Sequence, residues 1–130
     1  MRWRVLVLNN GDLNMVTWEQ RALSGDPKFP ASQDLPAFSY AAYARSLGFA
    51  GVEMRRPDDV ARGWDEALAQ RQPVVVDAYT DPDVPPLPPH IEPAQAKRFI
   101  EAIFKGDPDR WQVIKESAKQ MWAGFLGTRR

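Results

Sequence analysis

The chain has no cysteine, which excludes a disulfide scaffold, a thiolate metal centre and a cysteine nucleophile. Its one histidine is His90, set in the stretch PPLPPHIEP with no acid partner and no metal-ligand spacing, so it reads as a structural loop residue. Net charge is also lacking, with 17 basic against 17 acidic residues. That balance argues against nucleic acid bound through a general electrostatic footprint. Long apolar runs are missing as well: the run after Arg2 and Arg4 is only Val5 to Leu8, so neither a signal peptide nor a membrane span is predicted. Cytoplasm is the expected compartment.

What remains is the composition of a soluble globular protein. Hydrophobic residues make up 44% and charged residues 26% of 130, enough for one buried core and too few residues for two. Proline is in excess, at 12 residues, most of them between Pro73 and Pro93. Residues 1–91 hold 9 basic and 12 acidic residues, and residues 92–130 hold 8 and 5. A solvated helical face accounts for that small asymmetry.

Val5-Leu6-Val7-Leu8 is apolar at every position and reads as an interior strand of a parallel sheet, covered on both faces. The polar turn Asn9 to Asn14 leaves it. A short helix is predicted over Met15 to Leu23, then an irregular surface loop from Ser24 to Pro36. Tyr40, Tyr43 and Leu47 give a second helix its spacing, closed by Gly48. A short strand follows at Gly51 to Met54. Pro57, Asp58 and Asp59 open a third helix, where early carboxylates suit the positive end of the helix dipole. Its predicted buried stripe is Val60, Trp64 and Leu68. Val74 to Tyr79 is rich in β-branched residues and forms the third strand.

Strands alternating with helices predict an α/β fold with parallel strands and right-handed crossovers. Thr80 to Pro93 is too rich in proline to continue either element and should run extended over the surface. Two helices end the chain. The first starts at Pro93 and carries Ala96, Phe99, Ile100 and Ile103. The second follows Asp107-Pro108 and carries Trp111, Ile114, Ala118, Met121, Trp122 and Phe125. No internal repeat is visible.

In open parallel sheets, ligands sit outside the carboxyl ends of strands, where Asn9 and Asn10 fall. An asparagine oxygen is a hard, neutral donor suited to Mg²⁺, above all where a diphosphate already offsets the charge of the ion. Paired asparagines are also what a turn satisfying its own backbone uses. The wider context favours the metal. VLNN followed by GDLNMVTWE resembles the second half of the thiamine diphosphate motif, which in that family begins with Gly-Asp-Gly and closes with Asn-Asn after a hydrophobic strand. Downstream, FSYAAYARSLGFAGVEMRRPDDVARGWDEALAQRQPVVVDAYTDPDVPPLPPHIEPAQAKRFI is similar to the C-terminal portion of pyruvate oxidases, quinone-linked pyruvate dehydrogenases and acetolactate-synthase-like enzymes.

The resemblance implies a partial parallel-sheet domain for thiamine diphosphate over residues 1–92, with a C-terminal helical extension over 93–130 packed on it. It implies Mg²⁺ bound by the side chain of Asn10 and the main-chain carbonyl of Asp12, while the carboxylate of Asp12 need not touch the metal. Leu13 and Asn14 fall where the family's backbone approaches the diphosphate. Many relatives have glycine at the position of Asn14, and asparagine tolerates a left-handed backbone better than most residues. Met15, Val16 and Glu19 then face the thiazolium and substrate side, with Glu19 as the candidate catalytic residue. Read without the resemblance, Met15 and Val16 are ordinary core residues, Glu19 is a solvated helix residue, and Trp18 is a packing residue.

By the same resemblance the parent reaction is decarboxylation of a small 2-oxo acid such as pyruvate, followed by oxidation, with FAD in some members, or by carboligation. No Gly-Asp-Gly occurs in the chain, and the glutamate that activates the cofactor comes from a separate domain of a partner subunit in the family. A homo-oligomer or a companion chain supplying the missing half is therefore expected. The alternative is a noncatalytic α/β module that binds a partner through an exposed sheet edge. Two overlapping P-x-x-P matches, Pro85 to Pro88 and Pro86 to Pro89, read as a strap on the domain itself rather than as a ligand for an aromatic groove. The last helix, with Lys115, Lys119, Arg129 and Arg130 beside its aromatics, has chemistry suited to peripheral membrane contact. Packing on the body of the enzyme is the favoured reading, because Glu116 shares the polar face.

Overall fold

The β-branched run predicted as the third strand lies at the centre of a three-stranded parallel sheet in the computed structural model, which describes residues 3–84 and 92–127. The element order is β1 (Arg4–Asn9), α1 (Asn14–Glu19) continued by a π-helical turn (Gln20–Ser24), α2 (Pro30–Gln33), α3 (Tyr40–Ser46), β2 (Ala50–Met54), α4 (Asp59–Ala69), β3 (Val74–Tyr79), α5 (Pro93–Phe104) and α6 (Arg110–Gly127). The chain divides into two compact units. The first holds residues 1–11 and 36–81, the second 12–35 and 82–130.

In the first unit the strand order is β1-β3-β2. Arg4 pairs with Val74 and Asn9 with Tyr79 on one side of β3, and Ala50 pairs with Val74 and Met54 with Ala78 on the other. The expectation of an interior first strand is corrected: among the described residues β1 is an edge. Val5 and Leu6 are exposed, and Leu8 is 64% exposed, because β1 pairs with one neighbour while β3 takes the central place. The core gathers Val52, Met54, Ala67, Val74 and Val76, with Trp64 packed against it.

Two helices of this unit bury different residues from those their large apolar side chains predict. In α3 the inward residues are Ala41 and Ala44, whereas Tyr43 and Leu47 stand exposed. The reason lies at Gly51, where a Cβ atom would come within 2.2 Å of the Ala41 carbonyl oxygen. So close an approach of helix to strand admits only small residues between them. In α4 the buried residues are Gly63 and Ala67, and Val60 and Leu68 are exposed. A Cβ at Gly63 would meet Met54 Cε at 2.6 Å. Ser39 caps α3 by accepting from Ala42 N–H at 3.1 Å. Asp59 reaches back from the first turn of α4 to accept from Arg55 N–H and Arg56 N–H, each at 3.0 Å, and these two bonds hold its carboxyl below the usual carboxylate range.

The second unit is helical. Trp18, Ile103 and Val113 form its apolar core, and Phe99 stacks on Trp18 at 5.8 Å. In α5, Ala102 and Ile103 are buried and Ile100 is exposed. The predicted stripe of α6 is corrected where it is described: Trp111, Ile114, Ala118 and Trp122 are exposed, and Val113 turns inward with Glu116, Ser117 and Gln120 half-buried. Those four share one helical face at i, i+3, i+4 and i+7. The side chains of Met121 and Phe125 lie outside the described residues, as do His90, both P-x-x-P matches, Arg129 and Arg130. No helix among the described residues is long and apolar enough to cross a membrane.

The stretch from Ser24 to Pro36 is an ordered strap rather than an irregular surface loop. Gly25 closes the π-helical turn in a left-handed conformation, at φ +69°. Pro30 then starts α2 at a position where its missing N–H costs nothing. Gln33 fixes the strap's ends: its Oε1 accepts from Phe29 N–H at 2.9 Å, and its Nε2 donates to Gln20 Oε1 at 2.5 Å.

Candidate functional site

The carboxyl end of β1 is held by a buried carboxylate. Asp77, on the central strand, is fully buried. Its Oδ1 accepts from Asn9 Nδ2 at 3.0 Å, and its Oδ2 accepts from Ala41 N–H in the first turn of α3 at 3.3 Å. Asn9 Nδ2 also donates to the Phe38 carbonyl at 2.9 Å. Both amide hydrogens of Asn9 are thereby used on the scaffold, which gives the first asparagine of the pair a shaping role. Asn10 follows, half-buried. Gly11 then turns the chain at φ +67°, a conformation that a side chain resists.

In the second unit, Asp12 is buried and its carboxylate is engaged on both oxygens. Thr17 Oγ1 donates to Oδ1 at 2.6 Å, and the Lys28 ammonium pairs with Oδ2. Lys28 is itself nearly buried and also contacts Asp34 Oδ1 at 2.7 Å and Asp109 Oδ2 at 3.5 Å. Burial alone would pull that ammonium's pKa down, but the hydrogen bonds to Asp12 and Asp34 and the charge of Asp109 outweigh it and hold it above the ordinary lysine value. Beside it, Arg21 grips Asp107 in a two-point pair, Nε to Oδ2 and Nη2 to Oδ1, both at 2.7 Å. Asp107 further accepts from Lys28 N–H at 2.8 Å and from Asp109 N–H at 3.0 Å. Burial pushes its carboxyl up, and these donors, Arg21 foremost, carry it below the usual range.

Helix α1 follows directly. Leu13 precedes its first turn, with N–H bonded to the Gln33 carbonyl at 2.8 Å. Asn14 is the first helical residue and donates from Nδ2 to the Pro82 carbonyl at 2.8 Å. It is not left-handed, since no residue other than glycine has a positive φ among those described. The turn that asparagine was expected to tolerate falls at Gly11 instead. Thr17 and Trp18 point into the unit, with the Arg21 guanidinium 4.8 Å above the Trp18 ring. Met15 is 65% and Val16 49% exposed, and Glu19 is exposed too. These three share the outer side of the helix at i, i+1 and i+4.

Sequence reasoning passed over Asp77, Thr17, Arg21 and Lys28. An aspartate inside the β-branched run Val74 to Tyr79 was the available signal for the first, since an ionisable residue in a buried strand needs partners. Arg21 gave none, because its partners Asp107 and Asp109 lie far along the chain, and Thr17 and Lys28 gave none because no local pattern marks their contacts with Asp12. No group of three His, Asp or Glu residues able to hold a metal occurs among the described residues.

The asparagine pair closes a strand of an open parallel sheet, at the carboxyl end where such sheets bind their ligands. Residues 2–78 match the family described as the thiamine pyrophosphate enzyme C-terminal TPP binding domain, and the chain belongs to that family. It is also 32% identical over 122 residues to a Bacillus subtilis (strain 168) protein described as "Putative thiamine pyrophosphate-containing protein YdaP". The match takes in 91% of this chain and 21% of that relative, so the chain spans about a fifth of its relative's length.

Proposed function

We propose that this chain supplies one side of a thiamine diphosphate and Mg²⁺ anchor in an enzyme that decarboxylates a small 2-oxo acid, of the pyruvate oxidase or acetolactate synthase kind. The observation that carries this reading is the outer side of α1. A short helix that buries Thr17 and Trp18 leaves Met15 and Val16 in the open directly after the asparagine motif. Adjacent exposed apolar side chains suit contact with a ligand.

The donor chemistry fits the ion. Mg²⁺ takes six oxygens and keeps several from phosphate and water. Asn10 Oδ1 and the Asp12 carbonyl are neutral oxygens of the right hardness, and the Asp12 carboxylate is already committed to Thr17 and Lys28. In this reading Asn14 presents backbone to the diphosphate beside Leu13, whose own N–H is bonded to the Gln33 carbonyl; Met15 and Val16 give apolar contact on the thiazolium side, and Glu19 holds or moves a proton on the substrate side. When bound, thiamine diphosphate supplies the electron sink that decarboxylation needs. A flavin, if the acceptor reaction uses one, belongs to the whole enzyme, as do a companion chain or second copy completing the metal site with an acidic ligand.

Isothermal titration with thiamine diphosphate and Mg²⁺ tests the reading. Saturable, Mg²⁺-dependent heat that disappears in Asn10→Ala is the expected result. No heat, with the chain alone and again with a companion polypeptide carrying the Gly-Asp-Gly half, overturns it.

One observation favours a second reading, a noncatalytic interaction module. The edge strand β1 exposes Val5, Leu6 and Leu8 and offers backbone groups to another strand. Sedimentation of wild type beside Leu6→Lys separates the two. A partnership through this edge requires the substitution to shift association while leaving cofactor heat unchanged.

A further inference from the structure

Three features outside the motif residues single out the Asp12–Leu13 peptide. Its N–H is bonded to the Gln33 carbonyl at 2.8 Å, and no peptide among the described residues is cis. In a planar trans peptide the C=O points opposite to the N–H. The Asp12 carbonyl is therefore aimed away from α2. The side chain of the same residue is gripped from two sides, by Thr17 Oγ1 at 2.6 Å and by the Lys28 ammonium. Lys28 and Gln33 both belong to the strap over residues 24–36. That strap is tied down in turn by Lys28 N–H to Asp107, Asp26 to Lys105, and the Gln33 to Gln20 amide contact.

We propose that the strap is a positioning device for the cation: Lys28 and Thr17 lock the Asp12 side chain and the Gln33 carbonyl locks the peptide plane, so that the Asp12 carbonyl is held ready as a metal ligand. The inference rests on the cofactor reading above. A backbone carbonyl serves best as a ligand when its direction is fixed in advance. A nearly buried ammonium among three carboxylates is also more than a surface loop needs. Lys28 touches neither metal nor cofactor in this scheme; it acts through Asp12.

The test uses the full chain in three variants, Lys28→Met, Lys28→Arg and Thr17→Val, beside Asn10→Ala. Two quantities are read: the apparent Mg²⁺ affinity at saturating thiamine diphosphate, and amide hydrogen exchange at Leu13 in the protein without ligand. Lys28→Met is expected to weaken Mg²⁺ roughly 10- to 100-fold, the scale set by loss of groups that orient a ligand. It should also speed exchange at Leu13 while leaving β3 amides unchanged, and Lys28→Arg should restore both. Should Lys28→Met fail to fold, Thr17→Val decides, since it removes one bond to Asp12 and keeps nearly the same shape. Unchanged Mg²⁺ affinity and unchanged Leu13 exchange in folded Lys28→Met or Thr17→Val overturn the proposal. Binding that is lost in Asn10→Ala yet indifferent to Lys28 and Thr17 overturns the strap alone. No Mg²⁺-dependent binding by the unsubstituted chain, with or without a companion carrying the Gly-Asp-Gly half, overturns the cofactor reading and the strap's metal role with it.

Discussion

Asn9 Nδ2 and Asp77 Oδ1 stand 3.0 Å apart, a diagonal pair between neighbouring strands, since Asn9 is in register with Tyr79 and Asp77 with Val7. The same carboxylate holds the N-terminal turn of α3 through Ala41 N–H. One buried side chain thus ties the end of the edge strand to the central strand and to a helix, all within the first unit. Asp77→Ala leaves two donors without their acceptor. The expected loss is about 1–3 kcal/mol of unfolding free energy, read by urea denaturation at unchanged m-value. An Asn9→Ala, Asp77→Ala double variant should lose less than the sum of the two singles.

Gly51 and Gly63 offer a matched contrast. Gly51→Ala places a methyl 2.2 Å from the Ala41 carbonyl oxygen, backbone that cannot give way without moving α3. A loss of about 1–3 kcal/mol is expected. Gly63→Ala meets side chain rather than backbone, Met54 Cε at 2.6 Å and Cγ at 2.9 Å, so Met54 must repack, while the helix gains about 0.8–1.0 kcal/mol in propensity. The two effects should nearly cancel, which thermal unfolding of the two variants side by side will check.

Asp107 makes the second unit acid-sensitive. Its folded pKa lies below the ordinary value, despite burial, because Arg21 and two backbone N–H groups hold the carboxylate. The stability this contributes is intact above the unfolded pKa of about 3.9 and is lost as pH falls through the lower folded value. Unfolding followed from neutral pH down to about pH 2 should show that loss, and Asp107→Asn should flatten it. Arg21→Met at neutral pH leaves a buried carboxylate uncompensated and is expected to cost about 3–5 kcal/mol.

The outer side of α1 should separate folding from binding. Met15→Ala and Glu19→Gln alter exposed side chains, so unfolding free energy is expected to stay within about 0.5 kcal/mol of wild type. Under the cofactor reading, Met15→Ala weakens thiamine diphosphate in the titration, while Glu19→Gln leaves cofactor heat intact and lowers turnover in the assembled enzyme. A Met15→Ala protein that binds as wild type does would remove Met15 from the site.

The strands and every helix but α2 were legible in the residues, because Val74 to Val76 and the glycine and proline stops carry local signals that tertiary contacts here do not override. The faces were not. Periodicity weights Tyr43, Leu47, Val60 and Leu68, whereas the sheet accepts Ala41, Ala44, Gly63 and Ala67, since close approach selects for small size over hydrophobicity. The first strand misled for a related reason: an unbroken apolar run does not state how many neighbours it has. Of the candidate site, the asparagine pair and the residues after it are those that the motif points to. The strap could not: the carboxylates that hold Arg21 lie about eighty residues further along, in Asp107 and Asp109, and Lys28 meets Asp12 and Asp34 only once α1 and the strap fold back on each other.

The pairing of Arg4 with Val74 has a temporal side. During synthesis β1 is finished well before β3, its partner among the described residues, which is complete only after Tyr79 has been added. At about 5–20 residues per second, a ribosome leaves the apolar segment Val5 to Leu8 waiting several seconds without the neighbour that defines it. Such long-range closure is slow as well as late. Of the three described strands, β1 and β2 are both made before the central one, so β1 pairs only once β3 exists.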